Sequence, residues 1–199
     1  MVPQKPICIM SKADILKAIQ HSKPEPRPLP DIPKFEPSGM DIVQAFGSTS
    51  AQNGTRVVNA ADFADLESAI RTLFPEKGKT ASALPYLGSE VDLQNSAPDA
   101  LVDVDIAVIG GQVGVAENGA VWVNEADCVH RVLPFIAQHL VLVLPEDRIV
   151  HNMHEAYAQI DIDDTGFGVF IAGPSKTADI EQSLVIGAQG ARSLTIILT

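Results

Sequence analysis

Apolar residues recur along this chain in two rhythms, one suited to amphipathic helices and one to buried strands. From Met40 to Gln52, Ile42, Val43 and Phe46 form a helical stripe, and Asn53-Gly54 stops it. Arg56-Val57-Val58 reads as a short strand. Asn59 is placed to cap a second helix, with Asp62 three residues on and Phe63, Leu66 and Ile70 as its apolar face. Pro75 and Gly78 end it, and Thr80 to Leu84 returns to a strand pattern. Ser89 to Leu101 carries no readable period.

The second half is more regular. Asp105 to Ile109 is a strand that runs into Gly110-Gly111. Asn118-Gly119 then lies between two apolar runs, Val113 to Ala116 and Ala120 to Val123, which is a strong short-range hairpin signal. The pattern predicts a helix over Val129–Gln138, a buried strand over Leu140–Leu144 broken by Pro145, and a helix over Arg148–Gln159 capped by Asp147. Phe167 to Ala172 is a strand, a further helix starts at Ser175, and Leu194–Leu198 is the last strand. Alternation of strand and helix predicts an α/β fold: an open, largely parallel sheet flanked by helices, with an antiparallel hairpin added. Ligands of such sheets bind beyond the carboxyl ends of the strands, where both the Gly110-Gly111 and the Gly173 turns are expected.

Residues 1–37 follow neither rhythm for long. Ser11 and Asp14 frame a short capped helix carrying Ile15, Leu16 and Ile19. Prolines at 24, 26, 28, 30, 33 and 37 then exclude helix and central strand and leave an extended arm. Such an arm runs free in solvent or crosses a partner subunit, so a homo-oligomer stays open. The organisation expected is a helix with a proline-rich arm, 1–37, followed by one α/β domain, 38–199.

Composition narrows the classes of partner. The formal net charge is −11 over 199 residues, which argues against general binding of nucleic acid or of an anionic membrane surface. No apolar run is long enough for a membrane span, and Met1 to Met10 lacks the apolar core of a signal peptide. Cys8 and Cys128 are the only cysteines, too few for a tetrahedral thiolate site or an iron–sulfur cluster within the chain. A reducing, cytoplasmic setting fits them.

Candidate chemistry concentrates at Ala172-Gly173-Pro174-Ser175-Lys176-Thr177-Ala178-Asp179-Ile180-Glu181. Strand, tight turn and helix would aim free backbone N–H groups at an anion. Gly173 allows close approach, Pro174 ends the strand, and Ser175 is a natural cap. Thr177 can donate or accept in the first turn, Asp179 and Glu181 suit a helix start, and Lys176 suits one only when an anion meets it. The same pattern describes a capped helix with a solvated lysine, and spacing does not separate the two. Glu117, at the hairpin with Asn118 and Gly119, could act as nucleophile or general base, and equally as an exposed hairpin glutamate. His151 and His154 lack the spacing of a zinc-binding helix, and no metal site is expected. Cys128 and His130 would share a face if the segment were a strand, but polar neighbours near a helix start explain them as well, and neither makes a cysteine hydrolase. Glycines 110, 111 and 114 do not form a dinucleotide fingerprint.

The run Gly173 to Glu181, with Leu184-Val185-Ile186-Gly187 and Gly190-Ala191-Arg192-Ser193-Leu194, resembles the LUD domain, the lactate-utilisation protein C family. Ala116-Glu117-Asn118-Gly119 and Leu133-Pro134 before the strand at 140 support the resemblance, which covers about Asp103 to the end. The family usually shows His-Gly-Pro where this chain has Gln189-Gly190-Ala191, and Glu-Thr-Gly-Thr where it has Glu117-Asn118-Gly119-Ala120. The resemblance implies a fold like that of ribose-phosphate isomerase, glucosamine-phosphate deaminase and the CoA transferases. It implies phosphorylated or CoA-type ligands bound at strand ends. The residues expected to hold a small carboxylate, phosphate or CoA-type ligand are Gly110, Gly111, Asn118, Gly119, Gly173, Pro174, Ser175, Lys176, Thr177, Asp179 and Glu181. The resemblance also implies a place in a bacterial system that oxidises lactate to pyruvate, in which this chain is the cluster-free subunit and the partners carry iron–sulfur clusters. The alternative it leaves is a stand-alone CoA-transferase or sugar-phosphate enzyme, with Glu117 in a motif that resembles the Ser-Glu-Asn-Gly signature of CoA transferases.

Overall fold

His139 to Leu144 is an almost unbroken apolar run, and a strand of that kind is stable only where both of its faces are covered. The computed structural model, which describes residues 11–28, 30–33, 39–76, 78–161, 166–178 and 184–199, places it at the centre of a sheet. The elements in chain order are α1 (Lys12–His21), α2 (Ile42–Gln52), β1 (Arg56–Asn59), α3 (Leu66–Leu73), β2 (Thr80–Ser82), β3 (Ile106–Gly110), β4 (Val113–Val115) and β5 (Ala120–Asn124). They continue with α4 (Glu125–Cys128), α5 (Leu133–Ile136), β6 (His139–Leu144), β7 (Ile149–Val150), α6 (Met153–Tyr157), β8 (Gly168–Ile171), β9 (Lys176–Ala178), β10 (Leu184–Ile186) and β11 (Ser193–Leu198).

The central sheet has five parallel strands in the order β1-β11-β6-β3-β2. Side chains alternate between its faces with period two. Leu140, Leu142 and Leu144 of β6 join Leu194, Ile196 and Leu198 of β11 and Ala107 and Ile109 of β3 on one face, in a core shared with Phe46 of α2 and with Leu133. Val141, Val143, Ile106, Val108 and Ile197 point the other way and are covered by Ala69 and Ile70 of α3. A second sheet, β7-β4-β5-β8, turns Val121, Val123 and Ile149 toward the larger core. Its other face, Val113, Val115 and Trp122, is closed by Met153 and Ala156 of α6.

The chain divides into two units, Met1–Glu36 and Pro37–Thr199. In the first, α1 is capped as the sequence suggests: Ser11 accepts from the Asp14 amide, and the Asp14 carboxylate accepts from the Ser11 amide. Ile15, Leu16 and Ile19 on it are each about half exposed. Among the described residues no helix is long and apolar enough to cross a membrane.

Five sequence-based expectations need correction. Asn59 caps only a single 3-10 turn, Ala60–Asp62, because Asp65 with Ser68 forms the stronger reciprocal cap that starts α3. The helix expected over Val129–Gln138 is two short helices, α4 and α5. Asn124 and Asp127 cap the first, and Val129, at φ 61° and ψ −47°, interrupts the chain before the second. The helix expected over Arg148–Gln159 begins instead as strand β7, whose buried Ile149 and Val150 pair with Gly114 and Val115; Asn152 then caps α6. The hairpin at Asn118-Gly119 belongs to the second sheet rather than to the parallel one.

The fifth correction bears on function. No helix begins at Ser175. Lys176–Ala178 and Leu184–Ile186 are antiparallel strands, with Thr177 opposite Val185 and Ile186 opposite Lys176. The Ser175 amide donates to Ala191 at 2.9 Å, and its carbonyl accepts from Gly187 at 2.9 Å. These bonds hold the two ends of the segment side by side, so the chain folds back where it would otherwise wind. Asp179, Ile180 and Glu181 lie outside the described residues.

Candidate functional site

The C-terminal end of α2 is the meeting point of two turns that the sequence singles out separately. Asn53 follows the helix, and its side-chain amide donates to the Asn118 carbonyl at 2.7 Å. Its own carbonyl accepts from the Lys176 ammonium at 2.5 Å. Gly54, at φ +86°, lies beside the Pro174 ring: a Cβ there would be in ordinary contact, 3.7 Å from its Cγ and Cδ. Gly173 is at φ +85°, and a Cβ on it would come within 2.7 Å of the Asn53 carbonyl oxygen. Both the backbone angle and the contact therefore require glycine at 173.

The other turn is fitted to the same helix. Gly119, at φ +66°, donates to the Val115 carbonyl at 2.8 Å, and the Asn118 side chain accepts from the Ala120 amide at 3.0 Å. A Cβ on Gly119 would lie 2.9 Å from the backbone of Ser50 in α2. The Glu117 amide donates to His151 at 3.1 Å, while its side chain is exposed and pairs with no side chain among the described residues.

Beside the Gly173–Lys176 turn lies a groove of about 290 Å³. Leu140 and Leu194, the first apolar residues of β6 and β11, are part of its lining, with Pro134, Phe135 and Ile171. Ser175, Lys176 and Gln189 supply its polar side chains. Lys176 is the one cation among the described lining residues, and no carboxylate lines it. The groove therefore lies at the amino ends of β6 and β11. The Gly173 turn follows the carboxyl end of β8 but sits at the amino ends of the parallel strands, and this corrects the expected location. Gly110-Gly111 does lie at a carboxyl end, that of β3, and so is not brought to the groove. A Cβ on Gly111 would meet Val121 at 2.5 Å, so that glycine serves the packing of the two sheets.

The roles of individual turn residues shift accordingly. The Ser175 amide is consumed by Ala191 and is not offered to a ligand. The Thr177 hydroxyl donates to the Val185 carbonyl across the hairpin at 3.3 Å. What the turn can offer an anion is the Lys176 ammonium, with donors beyond the one spent on Asn53, and the Ser175 hydroxyl. Asn53 and Gly54 were visible in the sequence only as a helix stop. The two hydrogen bonds of Asn53 span 65 and 123 positions, and no local pattern carries such pairings.

The remaining candidates are structural. Cys128 is buried, and burial, then the nearby Asp127 and Glu125 carboxylates, push its thiol up to about 12. His130 directs Nε2 to the Leu93 carbonyl at 2.8 Å, so the pair has neither a thiolate nor a shared hydrogen bond. The Glu155 carboxylate accepts from the His151 amide at 2.9 Å. Among the described residues no cluster of three or more His, Cys, Asp or Glu could hold a metal ion.

The fold has a counterpart among known proteins. A protein of Deinococcus radiodurans, described as a DUF162 family protein, superposes with a TM-score of 0.59 at 18% identity, covering 79% of this chain and 95% of that one. Lactate utilization protein C of Oceanobacillus iheyensis is 28% identical over 101 residues, 47% of this chain and 43% of that protein. An uncharacterised protein of Neisseria meningitidis serogroup B is 26% identical over 147 residues, 69% of this chain and 63% of that protein. The chain thus spans less than two thirds of the length of these two curated relatives. The family model of the LUD domain matches residues 94–199, just over half of the chain and the part that contains the hairpin at Glu117, the Gly173 turn and the whole groove lining. On this match, the chain belongs to the LUD domain family.

Proposed function

We infer that this chain is a cluster-free component of a lactate-utilisation system, and that its groove receives a small carboxylate or phosphate at Lys176. The observation that carries the site is a reversal of charge. In a chain of net charge −11, the described lining of this groove has no carboxylate and one lysine, whose ammonium bonds the Asn53 carbonyl at the groove's edge. Lys176 is exposed, so its attraction for an anion is screened by water, and the absence of a competing carboxylate in the described lining is what favours an anion there. The role in lactate utilisation is supported by the relatives that bear that name.

Oxidising lactate to pyruvate removes two electrons and two protons, and the electrons need an acceptor. The chain has two cysteines, one of them buried with a protonated thiol, and this donor set does not fit an iron–sulfur cluster. The acceptor belongs to a partner, for which an iron–sulfur protein of the same system is the fitting class. A cytoplasmic location accords with such a partner. Calorimetry on the full chain with L-lactate, pyruvate and inorganic phosphate tests the site. A binding heat lost in Lys176→Ala is expected, and no heat with any of the three overturns it. Co-purification from native cells tests the partnership: an iron–sulfur protein in the same fraction is expected, and a chain always recovered alone overturns it.

A second reading, a transferase with CoA-type substrates, draws support from the Glu117 carboxylate. It is exposed on a tight turn beside Asn118 and unpaired by any described side chain, so its oxygens are open to an acyl group.

A further inference from the structure

The groove beside Lys176 is larger and more apolar than a three-carbon hydroxy acid requires. Its volume of about 290 Å³ would hold roughly ten water-sized groups and lies at the lower edge of the range of about 300–1,000 Å³ typical of sites for larger organic ligands. Its polar side chains come from Ser175, Lys176 and Gln189. Leu140 and Leu194, each about 1% exposed, are floor residues anchored in the main core. Phe135, also in the lining, leaves 41% of its surface open to solvent, and so offers apolar area that a ligand in the groove could cover.

From the union of one cation with an apolar trough, we propose that the ligand is an amphipathic monoanion: a carboxylate head at Lys176 and an unbranched aliphatic tail of several carbons along Phe135, Leu140 and Leu194. This rests on the anion site proposed above and specifies its substrate class. The head alone is what lactate and pyruvate share with it. The tail is what the volume and the apolar lining add. A carboxylate with a tail gains twice, from a charge-assisted bond to the ammonium and from apolar area removed from water. An acidic tail end would find no partner among the described lining residues, so a dicarboxylate is disfavoured.

A chain-length series tests this on the full chain, with dissociation constants measured by calorimetry for acetate, butyrate, hexanoate and octanoate. Each added methylene should tighten binding by up to about fourfold until the trough is filled. Lys176→Ala should weaken every member by a similar factor of about ten or more, because it removes only the head contact. Phe135→Ala should flatten the dependence on chain length and leave acetate unchanged. Ala172→Leu, at an exposed lining position, should shorten the longest tail accepted, and it gives a second readout if Phe135→Ala perturbs the fold. Affinity that is independent of chain length but still lost in Lys176→Ala overturns this inference and leaves the anion site standing. A series in which no member binds overturns this inference, and the anion site falls with it only if lactate, pyruvate and phosphate also give no binding heat.

Discussion

Lys176 and Asn53, 123 positions apart in the chain, are joined by a hydrogen bond of 2.5 Å from the lysine ammonium to the asparagine carbonyl. The same asparagine reaches Asn118, 65 positions away, with its side-chain amide. The end of one helix therefore sets the position of the hairpin that carries Glu117 and of the turn that carries Lys176. The two contacts use different parts of Asn53, a side chain and a backbone carbonyl, and can be separated by mutation.

Asn53→Ala removes the bond to Asn118 and keeps the one to Lys176. It should cost about 1 kcal/mol, the usual worth of a side-chain hydrogen bond, read as a lower urea midpoint with an unchanged slope. Lys176→Ala, at an exposed position, should change stability by less than about 0.5 kcal/mol. An unchanged midpoint in Asn53→Ala would show that its side chain does not hold the hairpin.

Gly119→Ala should be more harmful. The residue is at φ +66°, and its new methyl would lie 2.9 Å from the Ser50 backbone, which cannot move without shifting α2. Backbone strain and overpacking each cost about 1–3 kcal/mol. Gly39→Ala is the control, since Gly39 has a similar φ of +76° with nothing within 4 Å of the added methyl. Chemical denaturation of both variants isolates the clash as their difference, and equal losses would leave only the strain.

How much of this was legible in the sequence depends on the range of the interactions. The strands of the parallel sheet were readable because Leu140, Val141, Leu142, Val143 and Leu144 are apolar on both faces, a local fact. The capped helix at Ser11 was readable for the same reason. The segment after Gly173 was not, because Ser175 looks like a helix cap when only its neighbours are considered. Its amide and carbonyl are in fact taken by Ala191 and Gly187, and those bonds win over the local preference for a cap. The helix expected from Arg148 failed in the same way: pairing of Ile149 and Val150 with Gly114 and Val115 overrode a helical period. The candidate residues Lys176, Gly173, Asn118 and Gly119 could be named from sequence, but their common contact with the end of α2 is a tertiary fact.

Glu117→Gln decides between the two functional readings. If the carboxylate is a nucleophile toward acyl-CoA esters, incubation with them should give a mass adduct on the wild-type chain that the variant lacks, since the amide is a far weaker nucleophile. If the chain is an anion-binding component without that chemistry, neither protein gains mass, and carboxylate binding at Lys176 is the same in both. An adduct that survives in the variant would exclude Glu117 as its site.

The acid dependence of stability should carry the mark of His139. Its Nδ1 lies 2.7 Å from the Ser193 hydroxyl, and its ring is 5.3 Å from that of Phe74. It also lines a second cleft, of about 260 Å³, with Asp105 and Glu76. Burial holds its pKa below the ordinary histidine value of 6.5, and the Arg192 guanidinium adds to this; the Asp105 carboxylate opposes both. The folded chain thus prefers the neutral ring, and the unfolded chain binds more protons once the pH falls below about 6.5. The contribution of His139 is therefore fully present above that value. It is lost progressively as the pH drops toward the lowered folded value, below which the loss is constant. His139→Gln keeps a polar partner for Ser193 but does not titrate. The difference in unfolding free energy between wild type and variant should be level above pH 7 and shift against the wild type as the pH falls below about 6.5. Taking the difference cancels the carboxylates, which titrate in both proteins. A difference that stays level from pH 8 to 5 would mean that His139 takes up its proton as readily in the fold as in water.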